Sequence, residues 1–129
     1  MAVGRYDALN GLFLKGDGKG GFSPLPILKS GIFIPGNGKA LIKLRGANGK
    51  CLLAAAQNKG RLKIFELKKD VSLLSLKASD VSAVIKFRSG KQQKREFYYG
   101  DSFLSQSARF LLTDSNIISV DVVDGSSRE

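Results

Sequence analysis

The sequence predicts an all-β, antiparallel fold, and three observations carry that expectation. Apolar and polar residues alternate with a period of two in several short runs, the pattern of strands with one face buried. Asn-Gly and Asp-Gly dipeptides punctuate the chain at Asn10-Gly11, Asp17-Gly18, Asn37-Gly38, Asn48-Gly49 and Asp124-Gly125. These dipeptides supply the positive φ angles that tight hairpin turns require. No run between them is long enough to support a helix on its own. Antiparallel hairpins in a compact sandwich or barrel follow from this spacing.

The elements are expected in this order. Leu12–Leu14, Gly31–Ile34, Ala40–Leu44, Cys51–Ala56 and Arg61–Leu67 read as short strands. Pro24 and Pro26 set off Ser23–Lys29 as a loop or an edge segment, because proline cannot serve a central ladder. Leu52–Asn58 tolerates a helix through Ala54-Ala55-Ala56, yet its glycine-rich flanks favour a buried strand. Lys68-Lys69-Asp70 is the plausible module junction, dividing residues 1–69 from 70–129, and the two segments either share one core or stand apart. Val71–Leu76 reads as a strand or a connection. Val81, Ala83, Ile85 and Phe87 then alternate with polar residues, Ser89-Gly90 breaks the run, and the chain returns through Lys94, Glu96 and Tyr98 against Arg95, Phe97 and Tyr99. A hairpin is expected here. Phe110–Leu112 and Ile117–Val123 supply the last strands, with Ile118, Val120 and Val122 expected to face inward.

Composition removes whole classes of chemistry. The 129-residue chain contains no histidine, so Ser-His and Cys-His nucleophile pairs, the HExxH metal site and imidazole acid–base work are excluded. The single cysteine, Cys51 in Cys-Leu-Leu-Ala, cannot form an internal disulfide and reads as a buried thiol. No apolar run is long enough to cross a bilayer as a helix, and Met1–Tyr6 lacks the apolar core of a signal peptide, so a cytoplasmic protein and the interior of a longer exported chain are both open. The net charge is +10. Residues 1–69 carry 13 Lys and Arg against 3 acids, whereas residues 70–129 carry 8 against 8. A bias of this kind favours encounters with nucleic acid, acidic glycans or a membrane surface, but the lysines are scattered instead of forming a block, which favours a solvated surface.

Two family resemblances bear on function. Leu12–Phe22, containing Gly16-Asp17-Gly18-Lys19-Gly20, is similar to the N-D-G-x-G-x-F element of FG-GAP/VCBS-type repeats, and Ala40–Ala55 resembles the strand–loop–strand of the next repeat. The resemblance covers residues 6–67 and implies one to two incomplete propeller-blade-like units. In that family the loop offers acidic oxygens to calcium. Here Lys43, Arg45, Ala47 and Cys51 occupy those positions, so no metal and no cofactor is expected. Ala83–Gly125 resembles the ASPIC/UnbV domain: Gly100–Ser107 is similar to its G-x-x-Y-L-S-Q-S, and Val120–Gly125 to its terminal V-x-W-P-x-G with Trp-Pro replaced. Together they imply a piece of a larger exported β-rich repeat protein, periplasmic or at the cell surface, with no transferable catalytic residues. Exposed strand edges in an incomplete propeller invite pairing with another copy, and so a homo-oligomer.

Remaining motifs are weighed by their chemistry. Gly36-Asn37-Gly38-Lys39-Ala40 lacks the lysine and hydroxyl placement of a phosphate loop and reads as a hairpin turn. Asp101, Asp114, Asp121 and Asp124 could build a carboxylate site, but single acids at strand ends more often cap turns or stay solvated. The strongest site candidate is Tyr98, Tyr99, Asp101, Phe103, Ser105, Gln106 and Ser107, whose rings and hydrogen-bonding groups suit a carbohydrate or a protein ligand. The alternative role for these polar side chains is to satisfy local backbone groups. The expected function is a non-catalytic binding or assembly module. The competing expectation is a polyanion-binding face built from Lys39, Lys43, Arg45, Lys50, Lys59, Arg61 and Lys63, several of which strand alternation would place together.

Overall fold

Asn48 and Gly49 adopt left-handed backbone angles, with φ of 59° and 72°, and so reverse the chain between its two longest N-terminal strands. Such corners organise the whole computed structural model, which describes residues 10–100 and 105–127. Its strands are β1 (Phe13–Gly16), β2 (Phe22–Leu25), β3 (Asn37–Arg45), β4 (Cys51–Asn58), β5 (Lys63–Glu66), β6 (Ser72–Ser75), β7 (Asp80–Phe87), β8 (Gln92–Glu96), β9 (Phe110–Thr113) and β10 (Ile117–Asp124). A single helical turn, α1 (Ile27–Ser30), follows β2. Every pairing is antiparallel, in four sheets ordered β1-β2, β3-β4-β5, β6-β9 and β10-β7-β8. The fold is therefore all-β, and none of the four sheets closes into a barrel.

Buried apolar side chains come from the middle strand of each three-stranded sheet and from β9. They are Cys51, Ala54 and Ala55 on β4, Ala83 and Ile85 on β7, and Phe110 and Leu111 on β9. The alanine-rich β4 is a strand although alanine is a poor strand former. It pairs with β3 from Asn37↔Asn58 to Arg45↔Cys51 and with β5 along its other edge, and that double pairing overrides intrinsic preference. Each sheet is built within one half of the chain. Several contacts cross between halves: Lys69 pairs with Asp114, Arg45 Nη1 donates to Ser75 Oγ at 2.5 Å, and Ala108 N donates to the Lys43 carbonyl at 2.9 Å.

Several expectations are corrected. Gly31–Ile34 is a connection and not a strand; Ile34 N donates to the Asn10 carbonyl at 2.7 Å, outside any ladder. Asn37-Gly38 opens β3 instead of making a turn, and the glycine is accommodated by an irregularity in register between Gly38 and Ala40. Ser23–Lys29 keeps its expected edge character, with Pro24 opposite Leu14 in the β1–β2 ribbon, and adds the helical turn. The return strand of the β7–β8 hairpin stops at Glu96, so Tyr98 and Tyr99 lie beyond it.

The inward set on β10 is also corrected. A register shift between Ile117 and Ser119 turns Ile118 outward, to 67% exposure, and Val122 is exposed as well. On β7 the buried face begins at Ala83: Val81 is exposed, while Asp80 and Ser82 are buried. Asp80 enters because its Oδ2 accepts the Lys77 amide at 2.6 Å.

The two isoleucines give a direct test of this packing. Ile85→Ala, at a site only 3% exposed, should cost about 3 kcal/mol in urea denaturation, through lost transfer energy and a residual cavity. Ile118→Ala, the same chemical change on the bulged strand, should cost less than about 0.5 kcal/mol. Equal costs would contradict the assignment of faces.

Candidate functional site

The β7–β8 hairpin places the first half of the site. Beyond Glu96, Phe97 N donates to the Val81 carbonyl at 2.9 Å, which carries the pairing one residue further before the chain leaves the sheet. Tyr98 then stands 65% exposed. Its hydroxyl donates to Glu96 Oε2 at 2.6 Å, and Lys94 Nζ lies 3.5 Å from the same carboxylate. The tyrosine hydrogen bond first, and the Lys94 charge second, hold the Glu96 carboxyl below its ordinary range; the same contact pushes the Tyr98 hydroxyl up.

Tyr99 is fixed differently. Its hydroxyl donates to the Ala78 carbonyl at 2.5 Å, and the Arg109 guanidinium lies over its ring, 4.4 Å from the centroid. Arg109 Nη2 donates to the Asp80 carbonyl at 2.5 Å and to the Lys77 carbonyl at 3.3 Å. Among the described residues its buried Nε and Nη1 have no hydrogen-bond partner, and the ring face helps to offset their desolvation. Both rings are exposed, but Tyr99 has a guanidinium over its ring and its hydroxyl on the backbone, whereas Tyr98 is held only through the Glu96 contact among the described residues.

The second half comes from the segment leading into β9. Ser107 Oγ accepts the Lys43 amide at 3.0 Å, and Ala108 N donates to the Lys43 carbonyl at 2.9 Å. These two bonds occupy the outer edge of β3, so Ser107 satisfies a backbone group 64 residues away instead of a local one. Lys43 Nζ lies 5.6 Å from the Phe110 ring centroid. Between the two halves runs a cleft of about 240 Å³, whose wall includes Lys43, Arg95, Glu96, Tyr98, Ser107 and Arg109. A shallower, wide-open depression beside it is lined by Tyr99, Gly100, Ser105 and Gln106.

The predicted site is therefore divided. Tyr98 and Ser107 share the cleft; Tyr99, Ser105 and Gln106 surround the depression; Asp101 and Phe103 lie outside the described residues. Arg95, Glu96, Arg109 and Phe110 were not anticipated. The one signal for Arg109 is its place immediately before the apolar run Phe110-Leu111-Leu112, where a charged group beside a buried strand needs a partner.

The basic set is not one face. Lys43, Arg45 and Lys63 fall on the same side of the β3-β4-β5 sheet by register, but Lys43 faces Phe110 and Arg45 bonds Ser75. Lys50 pairs with Glu66 at 2.5 Å. Lys39, Lys59 and Arg61 are exposed at the opposite end of the sheet, where Asn37 pairs with Asn58.

Strand-end acids make turns. Asp114 Oδ1 accepts the Asn116 amide at 3.0 Å while its other oxygen pairs with Lys69. Asp124 Oδ1 accepts the Ser126 amide at 2.8 Å, and Asp121 pairs with Lys86 at 3.1 Å. Among the described residues, no three His, Cys, Asp or Glu side chains gather as a metal site. Cys51 is buried, and burial pushes its thiol up, partly countered by the Lys43 charge. The thiol is therefore protonated and poorly nucleophilic at neutral pH. Comparison of the chain with protein-family models, with curated proteins and with solved structures finds no match.

Two outcomes follow from this geometry. Arg109→Ala should cost about 2 kcal/mol in urea denaturation, since it removes charged hydrogen bonds and the ring contact together. Arg109→Lys should recover only part, because an ammonium lacks the planar stack. Separately, Asp114 is held below the ordinary aspartate range, first by the Lys69 hydrogen bond and then by the Asn116 amide, and Asp124 by the Ser126 amide and hydroxyl. A depressed folded value means their stabilisation is present above the unfolded pKa of about 3.9 and is lost as pH falls through the folded value. Urea midpoints should thus hold steady from neutral pH down to about 5 and decline below about 4, with a shallower decline in Asp114→Asn.

Proposed function

We propose that this chain is a non-catalytic, β-rich binding or assembly module whose contact site is the cleft at Tyr98, with a carbohydrate or a protein segment as ligand. The observation that carries this reading is an open aromatic ring fixed by its own hydroxyl to Glu96, standing beside Arg95 and Ser107. A ring held in place loses little freedom when a ligand stacks on it, and the adjacent charged and hydroxyl groups can fix the orientation of a sugar or peptide. The FG-GAP/VCBS and ASPIC/UnbV resemblances point the same way, towards a piece of a larger exported repeat protein. Tyr98→Ala should lower affinity at least about tenfold, as for a central aromatic contact, on a glycan array and against the neighbouring domains of the full-length protein. Its thermal midpoint should stay near that of the parent. Binding that is unchanged in a folded Tyr98→Ala variant removes the cleft from the proposal.

A polyanion-binding reading rests on a different observation, the exposed Lys39, Lys59 and Arg61 at one end of the β3-β4-β5 sheet. Counter-ion release then predicts retention on heparin at low salt, with log affinity falling by roughly 2 to 3 per decade of salt. Failure to bind the resin at low salt contradicts it.

A further inference from the structure

The β1–β2 ribbon and the α1 turn form the least covered apolar surface among the described residues. All four residues of β1 are exposed, as are Phe22, Ser23 and Pro24 of β2. The register places Phe13 and Leu25 on one face of the ribbon, and Leu14, Pro24 and Phe22 on the other. The second face is apolar and uncovered, while the first also carries Lys15 and Ser23 and holds Leu25 half-buried. Phe22 is 69% exposed and Leu28, on the helical turn, 99% exposed. A two-stranded ribbon of this kind is marginal in water by itself.

The surroundings are cationic. Lys15 lies on the ribbon, Lys19 in its turn and Lys29 beside Leu28. Between Asp17 and Glu66 there is no acidic residue, against nine lysines and arginines. The single acid in the turn, Asp17, is spent internally: its Oδ1 accepts the amides of Lys19 and Gly21 at 2.7 and 2.9 Å.

From this combination we infer that the ribbon and the α1 turn are a docking surface for an anionic lipid bilayer, seated at the level of the headgroups. The lysines bordering the exposed apolar face decide between occupants. A second copy of the chain would set Lys15, Lys19 and Lys29 against their own like charges, whereas an anionic headgroup layer complements them. The depth is limited as well. The outer backbone edges of a two-stranded ribbon need hydrogen-bond partners that hydrocarbon cannot supply and the headgroup region can. Phe22 and Leu28 enter the acyl boundary, while Lys15, Lys19 and Lys29 reach lipid phosphates and carboxylates.

The test uses the full chain and phosphatidylcholine vesicles, with and without phosphatidylserine, in a sedimentation assay. The chain should sediment with the phosphatidylserine vesicles, weakly or not at all with phosphatidylcholine alone, and less as salt rises. Leu28→Ser should weaken vesicle binding about tenfold, and Phe22→Ser about as much, from the apolar area each withholds. Leu28 is almost fully exposed, so its substitution leaves the fold intact, and an unchanged circular dichroism spectrum and melting midpoint verify this. Tyr98→Ala, which tests the cleft, should leave vesicle binding as it was. Three results overturn the inference: no sedimentation with anionic vesicles, salt-sensitive binding indifferent to both Leu28→Ser and Phe22→Ser, or concentration-dependent self-association that Leu28→Ser abolishes.

Discussion

The Arg109 guanidinium lies across the Tyr99 ring and donates to two backbone carbonyls at the start of β7, and the site depends on that contact. It joins the chain leaving β8 to the chain entering β9. Tyr98 and the Ser107–Phe110 segment each have bonds of their own, to Glu96 and to the Lys43 backbone, and this contact holds the two segments to each other. Burying guanidinium donors is costly unless they are met, and two of its buried nitrogens have no hydrogen-bond partner among the described residues besides the aromatic face. The arrangement is worth its desolvation because the planar cation and the ring match in shape, which an ammonium would not do. It also distinguishes two adjacent exposed tyrosines: Tyr99 has a guanidinium over its ring, whereas Tyr98 is held through its hydroxyl on Glu96.

Around this contact the packing is thin. The buried apolar positions are mostly small, with Ala54, Ala55 and Ala83 alongside Cys51, and Ile85, Phe110 and Leu111 the larger members. Polar contacts therefore do much of the joining between the halves. Lys69 with Asp114, Arg45 with Ser75, and the Lys43 backbone with Ser107 and Ala108 all run across the midpoint of the chain. Exposed pairs of this type are individually weak, so β3 and the segment before β9 are held by several small terms acting together. Apolar surface that this core does not absorb collects on β1, β2 and the helical turn.

How far the sequence discloses this structure follows from the range of each determinant. Period-two alternation and glycine-bearing corners are local, and they reveal the strand class, the Asn48-Gly49 corner and the Cys51–Asn58 strand. Bulges are not local in that sense. The shift after Ile117 depends on how β10 meets β7, so Ile118 reads as inward in the sequence and points outward in the fold. Asn37-Gly38 carries hairpin-turn chemistry, yet its pairing with Asn58 and Gln57 makes it the start of a strand. In the site, the tyrosines were visible as aromatic residues, but the guanidinium of Arg109 over the Tyr99 ring, ten residues on, was not. The bond from Lys43 to Ser107 spans 64 residues and has no signature at either end. The basic residues were legible as charge, while their dispersal onto Phe110, Ser75 and Glu66 belongs to tertiary structure.

The clasp between Arg109 and Tyr99 is most directly observed through the Arg109 Nε–H resonance in a nitrogen-15 correlation spectrum. A proton held against an aromatic face and shielded from water should be displaced upfield by the ring and should exchange slowly with solvent. It should also show a nuclear Overhauser contact with the Tyr99 ring protons. An Nε–H at the position of a free arginine, broadened by rapid exchange and lacking that contact, would contradict the account.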